Sequence, residues 1–119
     1  MSSAGDVIDP AVIESLRELG GGDDGFLHDL IRTYLDETPQ LVAQLRNAVG
    51  LADAAGVHLY AHSLKGSSAE FGAAYLADLC RQMETAGKSR DLELAPDLLV
   101  EIEDEYGRVA AALDRLLEE

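Results

Sequence analysis

Chemistry in this chain begins with His62. An imidazole is both a nucleophile and a proton carrier near neutral pH, and helical spacing surrounds this one with Lys65 at i+3, Gly66 at i+4 and His58 at i−4. A neutral ring nitrogen can attack a phosphoryl group, and the Lys65 ammonium can offset the charge on its oxygens. A glycine inside a helix costs about 1 kcal/mol relative to alanine. Gly66 therefore points to something large that must come close to the ring. His58, His62, Lys65, Gly66 and Ala69 together form a polar strip beside an apolar seam.

Other chemistries fit these residues less well. His58 and His62 stand at i, i+4 and could share one ion, but the glutamate of a zinc-protease motif is missing between them. A third ligand would have to come from His28 or from a distant carboxylate. General acid–base catalysis would require a pocket and a second titratable partner, and the local sequence reveals neither. The run Gly20-Gly21-Gly22 has no following Lys-Ser/Thr and no strand before it, so it reads as a turn and not as a phosphate-binding loop. No nucleotide-binding or kinase motif accompanies it. Phosphate on His62 would have to come from another protein.

The elements that must position this strip are helices. Asp9-Pro10 starts a short first helix that runs to about Leu19 on Val12, Ile13 and Leu16, and the glycine run ends it. Asp23 or Asp24 caps a long second helix reaching Gly50, with Leu27, Ile31, Tyr34, Leu41, Val42 and Leu45 at three- and four-residue steps. Pro39 lies inside it and should bend it near Leu35. Asp53 caps a third helix whose seam is Val57, Ala61, Leu64, Ser68 and Phe71, and Gly72 closes it. A fourth covers roughly Ala73 to Ala86, with Leu76, Leu79, Cys80 and Met83 facing inward and Gly87 as its stop. The fifth starts at Asp91, or at Ala95 if Pro96 takes the first helical position, and runs to the end of the chain. Its acids, Glu101, Glu103, Asp104 and Glu105, read as a solvated face.

Four apolar stripes joined by short connections predict an all-α domain, an antiparallel up-down four-helix bundle with an additional short N-terminal helix. Residues 1–8 read as a flexible tail and 9–119 as the domain. A net charge of −14 argues against nucleic acid and anionic membrane as partners. Cys80 is the lone cysteine and falls on an apolar stripe, which suits a buried thiol and a reducing, cytoplasmic setting. No apolar run approaches the ~20 residues that span a bilayer.

The stretch Ala61-His62-Ser63-Leu64-Lys65-Gly66-Ser67-Ser68-Ala69-Glu70-Phe71-Gly72-Ala73 resembles the signature of histidine-containing phosphotransfer (HPt) domains. A weaker similarity extends over Leu76 to Glu84. The resemblance implies a phosphorelay carrier in two-component signal transduction. His62 would accept a phosphoryl group from a response-regulator receiver aspartate and pass it to another receiver. It implies no cofactor of the chain's own, since the receiver brings the Mg²⁺, and receiver domains or a hybrid histidine kinase as partners of a monomer that is not itself an enzyme. Lys65 would steady the phosphoryl oxygens, and Gly66 and Ser67 would admit the receiver. Glu84 and Lys88 match family positions near the histidine; Glu84, an anion, would pair with Lys65 or orient the imidazole. His58 and Ala69 would border the partner. Two alternatives stand beside this reading: the dimerisation and phosphoacceptor part of a histidine kinase, and a helical scaffold in which His62 is never phosphorylated.

Overall fold

The computed structural model describes residues 7–118. Its elements are α1 (Pro10–Leu19), α2 (Asp24–Gly50), α3 (Ala54–Ala69), α4 (Ala74–Ser89) and α5 (Ala95–Leu117), with no strand among the described residues. Three of the starts follow from aspartate chemistry. Asp9, Asp23 and Asp53 each accept a hydrogen bond from an early backbone N–H of the helix they precede, from Ala11, Gly25 and Gly56. The fifth helix starts at Ala95, where Pro96 occupies the first turn, whose N–H groups have no partner in the helix.

Helices α2, α3, α4 and α5 form a closed ring in which each packs on two neighbours, and α1 leans on α2. The ring forms because each helix carries one apolar stripe. On α2 the buried positions are Leu27, Ile31, Tyr34, Thr38, Val42, Leu45 and Ala48; on α3 they include Val57, Ala61, Leu64 and Ser68. The α4 stripe of Leu76, Leu79, Cys80 and Met83 and the α5 stripe of Leu98, Ile102, Val109 and Leu113 complete the core. A buried side chain of this kind stabilises the fold by about 1.5–3 kcal/mol. Two of the buried hydroxyls pair with each other: the Tyr34 hydroxyl and Ser68 Oγ lie 2.9 Å apart and join α2 to α3. Phe71, in the turn after α3, meets the Tyr34 ring edge-on at 5.2 Å.

Several expectations are refined. Helix α2 runs unbroken through Pro39. Residues 1–6 of the expected tail lie outside the described residues, while Val7 and Ile8 pack against the core. Gly87 does not stop α4, which continues to Ser89, and Arg90 takes the left-handed position with φ of 62°. The glycine is needed for another reason. A Cβ on Gly87 would come within 2.5 Å of the His58 backbone nitrogen and 2.8 Å of the Ala54 carbonyl oxygen, so its absence lets α4 cross α3 backbone against backbone. Glu105 is also misplaced by sequence: it is buried, with Oε1 accepting from Arg108 Nη1 at 3.0 Å. Gly72 fits its expected role in the turn into α4, with φ of +71° and Asp9 Cβ only 2.6 Å from where its own Cβ would be.

Candidate functional site

The α3–α4 contact carries the site. Because Gly87 allows the two backbones to meet near His58, the preceding turn of α4 lies against the next turn of α3, and Glu84 faces His62 and Lys65. One carboxylate serves both. Glu84 Oε1 accepts from Lys65 Nζ at 2.6 Å, and Oε2 lies 2.7 Å from His62 Nδ1. His58 Nε2 faces the same Oε2 from 3.7 Å, beyond hydrogen-bond range, and its ring lies nearly parallel to that of His62 with centroids 6.4 Å apart.

Burial divides this cluster into a support and a working face. The Glu84 side chain is only 16% exposed, whereas the His62 side chain is 63% exposed. The hydrogen bond from Lys65, reinforced by that from His62, holds the Glu84 carboxyl below the usual carboxylate range against the opposing effect of desolvation. It is therefore an anion at neutral pH, an acceptor only, and His62 must present Nδ1 to it as N–H. In the neutral ring, the lone pair then sits on Nε2. An exposed imidazole with its lone pair on Nε2 has the chemistry to act as a nucleophile.

The surroundings leave space for a visitor. A Cβ built on Gly66 meets nothing within 4 Å, and Gly66 and Ala69 are exposed. Next to them a shallow groove between α3 and α4 is lined by Lys65, Gly66, Ala69, Gly72, Ala77 and Arg81. Ser67 turns away from it: its hydroxyl donates back to the Ser63 and Leu64 carbonyls, at 3.2 and 3.3 Å, and the residue borders a second groove against α2. Lys88 is exposed one turn beyond Glu84, and no hydrogen bond or ion pair among the described residues joins it to the cluster. Arg81 and Ala77 are two of the lining residues that sequence reasoning missed. Their only signal was their place at i−3 and i−7 from Glu84 on one face of α4.

Among the described residues no group of three or more His, Cys, Asp or Glu side chains is arranged to hold an ion, and His28 sits half-buried on α2. Cys80 is fully buried, and burial pushes its thiol up to about 12. No helix is long and apolar enough to cross a membrane, among the described residues.

The Hpt domain family model matches residues 29–116, most of the chain and all of the α3–α4 site. The chain belongs to the Hpt family. The Hpt domain is similar to histidine-containing phosphotransfer protein B from Pseudomonas aeruginosa PAO1, with 29% identity, 91% of each chain covered and a TM-score of 0.84. It also shares its fold with the HPT domain of a sensor hybrid histidine kinase from Shewanella, at 22% identity, 96% coverage of each chain and a TM-score of 0.77. A search of curated proteins finds no match. The role of this Hpt domain is histidine phosphotransfer in a two-component phosphorelay, and the family to which it belongs consists of phosphocarrier proteins that interact with receiver domains and hybrid kinases.

Proposed function

We propose that Nε2 of His62 is the phosphoacceptor, taking the phosphoryl group from a receiver aspartate and passing it to a second receiver. The observation that carries this reading is the 2.7 Å contact between Nδ1 and Glu84 on a ring that is otherwise open to solvent. In the forward step the Nε2 lone pair attacks phosphorus, the P–O bond to the aspartate breaks, and its electron pair leaves with the carboxylate. The imidazole becomes a cation that still holds its proton on Nδ1. Glu84 faces that new charge and stabilises it, a contribution that grows as the bond forms. Lys65, one turn along, turns part of its charge from Glu84 toward the phosphoryl oxygens.

The rest of the strip serves the partner. Gly66 and Ala69 leave the surface flat for a receiver, Ser67 keeps its hydroxyl out of the way, and His58 and Lys88 border the contact at its edges. The Mg²⁺ that receivers carry supplies the Lewis acid, and the chain brings neither a metal nor an ATP site. The Hpt domain acts as a monomer beside its partners in the cytoplasm, a reading supported by a four-helix ring that buries its own stripes without a second copy. Incubation with a phosphorylated receiver tests the proposal: label passes to the wild-type protein and none to His62→Gln. Transfer that survives this substitution overturns it.

A further inference from the structure

We infer that Glu84 raises the fraction of the phosphorylated ring that is protonated at Nδ1, and so makes the phosphoryl group more readily transferable at neutral and mildly alkaline pH. The inference rests on His62 Nε2 as the phosphoacceptor and extends it from acceptance to release. Once Nε2 carries phosphorus, Nδ1 is the one nitrogen of the ring that can still gain or lose a proton. Its state decides the leaving group. When a receiver carboxylate oxygen attacks phosphorus, the P–Nε2 bond breaks and its electron pair returns to Nε2. If Nδ1 holds a proton, the ring leaves as neutral imidazole; if not, it must leave as an imidazolate anion, a far poorer leaving group. The protonated ring is the one that gives up its phosphoryl group.

The geometry favours that proton. Glu84 Oε2 lies 2.7 Å from Nδ1, and an unprotonated Nδ1 there would set a lone pair against a carboxylate oxygen. A carboxylate at this distance favours the charged form of an imidazole. Glu84 does not take the proton itself, because Lys65 Nζ holds Oε1 at 2.6 Å and keeps the carboxyl ionised. The other charged groups around the ring are few. On α3 these are Lys65 and His58, the latter 3.7 Å from Oε2; on α4, exposed Arg81 and Lys88 stand about one turn to either side of Glu84. On the α2 side Glu37 borders the groove that Ser63 and Ser67 line. Among the described residues, Glu84 alone is in hydrogen-bond contact with Nδ1.

The test uses chemical phosphorylation with phosphoramidate, which needs no partner. Nitrogen-15 and phosphorus-31 spectra locate the phosphoryl group and follow Nδ1 protonation between about pH 6 and 9, while label loss gives the lifetime of the phosphohistidine. The expected result is a protonation midpoint in the wild type at least one unit above that of Glu84→Gln, and phosphoryl loss at about pH 8 that is about tenfold faster in the wild type, since one unit is tenfold in protonated fraction above both midpoints. Wild-type protein phosphorylated and then unfolded in urea supplies a second reference that does not depend on the variant folding, and its midpoint should also lie below that of the native protein. Equal midpoints and equal lifetimes overturn the inference. A phosphoryl group that forms on another residue, or equally on His62→Gln, overturns instead the assignment of His62.

Discussion

Replacing Gly66 with alanine separates the two things that this position does. In the helix interior the change should stabilise the fold by about 0.5–1 kcal/mol, because alanine loses less backbone freedom than glycine on folding. Nothing opposes that gain locally, since the new Cβ would meet no atom within 4 Å. For a domain of this size the melting temperature should rise by about 2 to 6 °C. The same methyl enters the space that the proposed docking leaves to the partner. An extra methyl forced into a packed contact costs about 1–3 kcal/mol, and each 1.4 kcal/mol is about tenfold in rate, so transfer from a phosphorylated receiver should fall by about 5- to 140-fold. Thermal melts and a transfer time course read the two effects on the same sample. Gly87→Ala is the contrasting control: its Cβ would strike the His58 and Ala54 backbones at 2.5 and 2.8 Å, so α3 and α4 must part and stability should fall by about 1–3 kcal/mol. A Gly66→Ala protein that melts higher and transfers at the wild-type rate would refute the reasoning.

Other outcomes follow from the same structure. Lys65→Ala should slow transfer by more than tenfold while moving stability by less than about 1 kcal/mol, because a partly exposed ion pair contributes little to folding; loss of both in proportion would make Lys65 a structural residue. The Glu84 carboxyl is held low in the folded state, so its stabilising effect is present above the unfolded value of 4.5 and is lost as pH falls through the lower folded value. The difference in melting temperature between the wild type and Glu84→Gln should therefore shrink on acidification below that value, and a constant difference would contradict the assignment. Cys80, with its thiol pushed up to about 12 and its side chain fully buried, should not react with a disulfide reagent at pH 8 until denaturant unfolds the chain; rapid labelling of native protein would show that the α4 stripe opens.

Local chemistry was the legible part of this sequence. Aspartate caps at Asp9, Asp53 and the Asp23-Asp24 pair, of which Asp23 is the cap, and stripes at helical spacing act through neighbours a few residues away, so the elements and their inward faces could be read directly. His62, Lys65 and Gly66 were legible for the same reason, being one turn apart on a single helix. Contacts between helices were harder. Gly87 looked like a helix stop because a glycine near a helix end usually is one, and only the approach of α3 explains it. Glu105 looked solvated among its acidic neighbours, although its place at i+3 from Ile102 and i−4 from Val109 put it on the buried stripe. That spacing was a usable signal, outweighed by residue type. Glu84 was drawn to the site by resemblance, but its division between Lys65 on one oxygen and His62 on the other depends on how α3 and α4 meet.

The most direct measurement is a long-range nitrogen-15 spectrum of the His62 ring, recorded before and after phosphorylation by a receiver. The resting protein should show the proton on Nδ1, toward Glu84, and the phosphorylated protein should show phosphorus coupling at Nε2. A resting proton on Nε2, or coupling at Nδ1 or on His58, would contradict the account.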